Sequence, residues 1–328
     1  MEILFLNQKE ISNLLTMKDV IQAVESAFKE KGEGKVEMPP KSYLYYEKYS
    51  GDLRVMPSYM VKSEKSGVKV VNSHADNPRT KNLPTVMAVI ILVDPSTGAP
   101  LAIMDGTLIT AWRTGAAAGV AVKYLARKES RVLGLVGAGR QAQSQLEAIT
   151  EVMDLGEVKV CDHQKEVVDR FIANNKKRFD LNFTSTKGDQ ECVELADIVS
   201  SQTPSRAFII KDDWVKQGTH INAIGADAPG KQEIDPALLK RAKILIDDWE
   251  QARHSGEVNV PLSQGILRKE QIYGELSEVV CNLKVGRESD SEITVFDSTG
   301  LSIQDVATAS LAHEKAKQMN VGTWLTLF

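Results

Sequence analysis

Hydrophobic and polar positions change rhythm twice along the chain. Near the start, Thr16-Met17-Lys18-Asp19 has the form of a capping box with Asp in the usual Glu position. Val20, Val24, Ala27 and Phe28 follow at helical spacing until Gly32 and Gly34. Beyond Pro39 the helical period gives way to short extended runs, over residues 42–46, 53–56, 68–71, 86–93 and 101–104. Asp94-Pro95-Ser96-Thr97-Gly98 has turn chemistry, so the last two runs are expected to pair as a hairpin. The pattern predicts an α+β region with a mostly antiparallel sheet. A helix follows over 105–128, and its centre, Gly115-Ala116-Ala117-Ala118-Gly119, is small enough to pack closely against another helix or a cofactor.

The second change comes at Val132. An apolar run to Val136 meets Gly137-Ala138-Gly139-Arg140-Gln141-Ala142, and Ala142, Leu146, Ile149 and Met153 then share one helical face. Strand-like runs over 158–161, 182–184, 197–201, 220–224, 244–247 and 293–296 alternate with helical ones, among them 165–178 and 275–284. This is the βαβ rhythm of a doubly wound parallel sheet, so the fold class is α/β. A last helical pattern over 303–319 is expected to return to the first region. The predicted boundary lies near Arg127, with residues 1–127 joined by 302–328 in one domain and 128–301 forming the other.

Strand, glycine turn and helix at 132–153 frame the spacing Gly137-x-Gly139-x-x-Ala142, the fingerprint of a dinucleotide site. Gly137 allows the tight turn, Gly139 lets backbone approach a pyrophosphate, and Ala142 lets the helix lie close to the sheet. The helix N-terminus favours the phosphates. Asp162 closes the second strand, where an acid accepts hydrogen bonds from the ribose hydroxyls and repels a 2′-phosphate. NAD is therefore expected over NADP. A plain turn with Asp162 as a helix cap would give the same pattern.

Composition narrows the class without naming a chemistry. Of 328 residues 42% are hydrophobic and 26% charged, as in ordinary globular proteins. The net charge of −4 gives no reason to expect a nucleic-acid or anionic-membrane partner. Cys161, Cys192 and Cys281 lie far apart, with no CxxC, which fits reduced thiols and neither a disulfide framework nor a zinc site. No signal-peptide pattern and no long apolar run is present, and a cytoplasmic location is expected.

Four charges interrupt apolar or small-residue surroundings: Lys69, Arg54, Arg113 and Asp227. Asp227 follows a predicted parallel strand, at the end where open α/β sheets bind ligands. Lys41, after Met38-Pro39-Pro40, is a weaker candidate. A snorkelling side chain or a structural ion pair would explain each of them singly. His74, His163, His220, His254 and His313 form no set at metal-ligand spacing, and no metal site is expected. No nucleophile elbow is present.

Taken in order, these stretches resemble the ornithine cyclodeaminase/μ-crystallin family. The resemblance rests on Met38-Pro39-Pro40-Lys41, on Gly51 to Pro57, on Val68 to His74 and on Asn82 to Met87. It continues through Met104-Asp105-Gly106, Arg113 to Ala117, Gly137 to Ala142, Gly218 to Asp227 and Phe296 to Leu301. It implies a Rossmann domain binding NAD and an α+β domain that binds substrate and builds a homodimer. In that reading Lys69 and Arg113 hold the substrate carboxylate, with Lys41 or Arg54 assisting. Lys69 and Asp227 are the implied catalytic residues. The implied cofactor contacts are Arg113, Thr114, Gly137, Ala138, Gly139, Arg140, Gln141, Asp162, Gly225, Ala226, Asp227 and Ser298.

The branch rests on Arg54. Ornithine-cyclising members carry a carboxylate there, and an arginine would repel the distal ammonium by about 1 kcal/mol at 4 Å in water-like dielectric. Leu53-Arg54-Val55-Met56-Pro57 resembles the alanine dehydrogenase branch instead. The expected activity is reversible NAD-dependent deamination of L-alanine to pyruvate and ammonia. The alternatives are a ketimine or pyrroline-2-carboxylate reductase, an ornithine cyclodeaminase, and a crystallin-like protein that binds nucleotide without turnover.

Overall fold

A computed structural model describes residues 1–327 and divides into two compact units, Met1–Arg113 with the chain from Leu301 onward, and Thr114–Gly300. The division falls inside a helix, thirteen or so residues before the boundary expected near Arg127. The reason is close packing. A Cβ on Gly115 would collide with the backbone of Ser144, and one on Gly119 would sit 3.1 Å from the Ala148 carbonyl oxygen. The small residues at the helix centre thus belong to the nucleotide-type unit.

The first unit contains strands β1 (Glu2–Leu6), β2 (Val36–Glu37), β3 (Ser42–Tyr46), β4 (Gly51–Met60), β5 (Lys65–His74), β6 (Val86–Val93) and β7 (Pro100–Asp105). Its helices are α1 (Gln8–Leu14), α2 (Met17–Gly32) and the short α3 (Asn77–Thr80), and α4 (Gly106–Leu125) leads out of it. The Thr16/Asp19 capping box opens α2, with Thr16 Oγ1 accepting from Asp19 N at 3.2 Å. Asp105 Oδ1 accepts from Leu108 N at 2.9 Å and opens α4.

Seven strands of this sheet run in the order β16-β1-β7-β6-β5-β4-β2, with β3 also on β4, where β16 is Thr323–Thr326 near the end of the chain. All its pairings are antiparallel except β1 with β7. The expected hairpin is β6–β7. Register matters here because alternate side chains take opposite faces. Met56, Lys69, Ile90, Met104 and Leu6 stand side by side in one row, and all five are buried. Lys69 is therefore embedded in the apolar face of its sheet.

The second unit continues with β8 (Val132–Val136), α5 (Arg140–Val152), β9 (Glu157–Cys161), α6 (Lys165–Asn175), β10 (Asn182–Ser185), α7 (Asp189–Glu194), β11 (Ile198–Ser201) and β12 (His220–Ala223). It ends with α8 (Pro236–Arg241), β13 (Lys243–Ile246), α9 (Trp249–Ser255), α10 (Asn259–Ser263), β14 (Ile272–Glu275), α11 (Leu276–Val280) and β15 (Thr294–Asp297). The eight strands pair in parallel in the order β10-β9-β8-β11-β12-β15-β13-β14. This is a doubly wound Rossmann-type sheet whose order reverses between β8 and β11, the place where such sheets bind ligands. The helix α12 (Ser302–Met319) belongs to the first unit. The helix predicted over 275–284 is shorter and follows the unpredicted strand β14, because Asn282 turns the chain at φ 58°.

Candidate functional site

In the first unit, α12 lays a carboxylate over the row that contains Lys69. Asp305 Oδ2 is 2.6 Å from Lys69 Nζ, and its Oδ1 accepts from Arg113 Nε at 2.9 Å. Gln304, one residue earlier, accepts from Arg113 Nη1 at 2.9 Å. The Lys69 side chain is 1% exposed, that of Arg113 7% and that of Asp305 not at all, so these charges meet in low dielectric, where each acts strongly on the others. Burial first, and the Arg113 charge second, bring the Lys69 ammonium down to about 7; Asp305 pulls it up and Lys41 pushes it further down. A lysine in that range exchanges its proton near neutral pH.

The other two cations expected at this site stand differently. Lys41 is half-buried, and its charge acts on Lys69. Arg54 lies on β4 and turns its guanidinium onto Asp52, with Nε–Oδ1 at 3.0 Å and Nη2–Oδ2 at 2.9 Å, over the Tyr43 ring. Asp52 matches its charge, so Arg54 repels an ammonium less than a bare arginine would.

In the second unit the fingerprint adopts the tight turn. Gly137 sits at φ 92°, a region that L side chains avoid, and its N–H donates to Cys161 O at 2.9 Å. A side chain on Gly139 would meet nothing within 4 Å, so packing does not require glycine there, and the bare backbone faces open space. Asp162 Oδ2 accepts from Ala138 N at 2.9 Å and its Oδ1 from Gln164 N at 3.0 Å, which fixes the acid against the turn. Arg140 and Gln141 begin α5, and Thr114 is buried in α4.

Buried carboxylates shape the loops after the parallel strands. Glu233 accepts from Thr203 N at 2.6 Å and Gly225 N at 2.8 Å, which holds the segment Gly225-Ala226-Asp227. Glu257 accepts from Ile234 N at 2.7 Å and Glu233 N at 2.9 Å, and Asp247 accepts from Thr299 N and Gly300 N, both at 2.7 Å. Burial pushes Glu233 up from the usual carboxylate range, and burial together with the Glu233 charge pushes Glu257 well above it. Asp227 is more than a third exposed and pairs with Lys231 Nζ at 2.5 Å. Ser298 N donates to Ala223 O at 3.0 Å, while its buried hydroxyl has no hydrogen-bond partner among the described residues. An open glycine backbone, a fixed acid and an orphaned buried hydroxyl fit a dinucleotide.

Pattern reading missed Asp305, Gln304, Glu233, Asp247 and Glu257. Asp305 had apolar neighbours in Ile303, Val306 and Ala307, a weaker signal than that of Lys69 because Gln304 and Thr308 share its helical face. The other acids carried none, because their partners are backbone N–H groups of remote segments.

The model of the ornithine cyclodeaminase/mu-crystallin family matches residues 1–320. The chain is 49% identical over 328 residues to an alanine dehydrogenase of Archaeoglobus fulgidus, covering 100% of this chain and 99% of that one. A solved archaeal alanine dehydrogenase, a dimer with bound NAD, is also 49% identical, with a TM-score of 0.96 and 100% of both chains covered. The Δ1-pyrroline-2-carboxylate reductase of Thermococcus litoralis, solved with NADH and L-proline, is 41% identical, with a TM-score of 0.95 over 98% of this chain and 99% of that one.

Proposed function

Because the chain belongs to the ornithine cyclodeaminase/mu-crystallin family, we propose that it carries out the NAD-dependent, reversible deamination of L-alanine to pyruvate and ammonia. The observation that carries the chemistry is the buried pair Lys69 and Arg113 on one carboxylate. The full-length likeness to the Archaeoglobus enzyme carries the choice of substrate.

In the aminating direction Arg113 and Lys69 hold the pyruvate carboxylate, the guanidinium offering paired donors. Ammonia adds to the carbonyl carbon, and Lys69 Nζ gives its proton to the hydroxyl of the carbinolamine, which leaves as water. NADH supplies the hydride that completes L-alanine. In deamination Lys69 takes the proton back. Gly137, Ala138, Gly139, Arg140 and Gln141 receive the pyrophosphate, Asp162 the ribose, and Ser298 and Thr114 the nicotinamide end. Asp227, released from Lys231, orients ammonia.

The protein is proposed to act as a homodimer, like the solved archaeal enzyme. On the sheet face away from Lys69, Phe5, Val89 and Leu101 are 40%, 46% and 36% exposed, an apolar surface suited to a second copy. No helix among the described residues is long and apolar enough to cross a membrane. Cys161, Cys192 and Cys281 form no disulfide among the described residues, which favours the cytoplasm as the compartment.

The test is steady-state NADH oxidation with pyruvate and ammonium, set beside the rate with pyrroline-2-carboxylate. Alanine turnover is expected to dominate. A higher kcat/KM for the cyclic imine would move the protein to the reductase branch, and proline formation from L-ornithine at a comparable rate would move it to the cyclodeaminases.

A further inference from the structure

Among the described residues, Asp305 is the one group that touches both cations of the clamp. Every residue of α12 from Ser302 to Ser310 is buried, and a carboxylate in such a segment keeps its charge only if it is paired. Both of its oxygens are committed, one to Lys69 Nζ at 2.6 Å and one to Arg113 Nε at 2.9 Å. Gln304 takes a second edge of the same guanidinium. The start of the helix is tied to the sheet by Ser302 Oγ, which donates to Met56 O at 2.7 Å, beside the Lys69 position in register.

The charges facing Lys69 are Arg113 from α4, Asp305 from α12 and Lys41 from the segment before β3; its neighbours in register, Met56 on β4 and Ile90 on β6, are apolar. Two cations and one anion leave the buried triad with one surplus positive charge, which an incoming substrate carboxylate matches. The geometry points to Asp305 as the positioning residue of the reaction, holding Lys69 and Arg113 side by side and keeping the proton on Lys69 until substrate arrives. This rests on the reading of Lys69 as the proton donor.

Asparagine at 305 has the same shape without the charge. The remaining influences on Lys69, burial and the charges of Arg113 and Lys41, all favour loss of its proton. The surplus charge of the triad stays the same, since a neutral lysine beside a guanidinium also sums to one positive charge. Carboxylate affinity is thus largely retained, and what disappears is the acid.

The experiment uses the full-length protein, unmutated and as Asp305→Asn and Asp305→Glu. The proton on Lys69 is followed without substrate by the 13C shift of its ε-carbon against pH, assigned with Lys69→Arg. In parallel, kcat and KM for NADH-dependent amination of pyruvate are measured across pH. The expected midpoint is near 7 in the unmutated protein, lower by about one pH unit or more in Asp305→Asn. The alkaline limb of kcat should move by the same amount, with KM changing less than kcat, and Asp305→Glu should restore the midpoint.

A midpoint that stays put in Asp305→Asn overturns the inference, as does a midpoint that moves without the kcat limb. If the Asn variant does not fold, the Glu variant decides: a midpoint more than about one unit from the unmutated one overturns the assignment. An unmutated protein without alanine turnover would defeat the functional reading instead, and the carbon titration would still judge Asp305.

Discussion

In the first unit a buried lysine and a buried guanidinium share one side-chain carboxylate, whereas in the second Glu233, Glu257 and Asp247 lean on backbone N–H groups. Both arrangements satisfy the demand that a buried charge be paired. They differ in what can be lost. A backbone donor stays as long as the loop is folded, so Glu233, Glu257 and Asp247 behave as fixed struts. Among the described residues Lys69 has one anionic partner, and its proton is held by a balance of opposing influences. Side-chain pairing leaves a group free to react, and backbone pairing makes it a scaffold.

The strongest way to break this contrast is Lys69→Arg, which keeps the charge and removes the exchangeable proton. If Lys69 transfers protons, kcat should fall by about 10²–10⁴-fold while KM changes far less. An arginine variant with near-normal kcat would reduce Lys69 to an anchor and erase the distinction between the units. Glu233→Gln is the matching change in the second unit. Its amide would turn N–H toward N–H at either Thr203 or Gly225, at a cost of about 1–3 kcal/mol by urea unfolding. The alkaline limb of kcat should stay where it is, and a shift would show that the struts also tune the chemistry.

A pH series sharpens the contrast further. Lys69 titrates near 7 when folded and at its ordinary value of 10.5 when unfolded, so between these limits the unfolded chain holds the extra proton and stability rises with pH. Glu257 has the opposite sign. Its raised value means that the folded protein holds the extra proton from 4.5 upward, and its contribution is lost as pH rises through the folded value. His220, held by burial at about 3 against an ordinary 6.5, changes stability only below that upper limit. Urea unfolding between pH 7 and 10.5 reads the Lys69 contribution, and the Glu257 contribution is read from pH 4.5 upward as the difference from its variant. Lys69→Met should flatten the rising contribution and Glu257→Gln the falling one, each on the order of 1 kcal/mol per pH unit. Identical slopes in both variants and the unmutated protein would refute the assignment.

The smallest effect is expected at Asp162. With its carboxylate fixed on Ala138 N, Asp162→Ser should raise KM for NADH severalfold and narrow the preference over NADPH. An unmutated protein that uses NADPH equally well would contradict the role given to Asp162.

How much of this the chain discloses by itself depends on where the partner lies. Strands β6 and β7 were legible because they are long and flank turn residues, and β8 with α5 because the fingerprint is local. Strands β1 and β16 escaped because each is short and pairs with segments from far along the sequence. Lys69 and Arg113 stood out against apolar or small neighbours. Asp305 did not, since Gln304, Asp305 and Thr308 fall together at the spacing of a solvated helix stripe. Only the fold reveals that this stripe faces inward. Arg54 shows the converse, a charge conspicuous in the sequence whose pairing with Asp52, two residues away, changes what it can do.

The passage of the chain through its two units also sets an order of events during synthesis. The nucleotide-type unit is continuous from Thr114 to Gly300, whereas the first unit waits for the segment that begins at Leu301. The whole sequence of the dinucleotide unit is therefore polymerised before Asp305, and until α12 is in place Lys69 and Arg113 lack this shared carboxylate. Domains tend to fold as units from the N-terminus, yet here the N-terminal one is completed last. The dinucleotide fold can thus form while the carboxylate clamp is unassembled, and activity waits for the docking of α12.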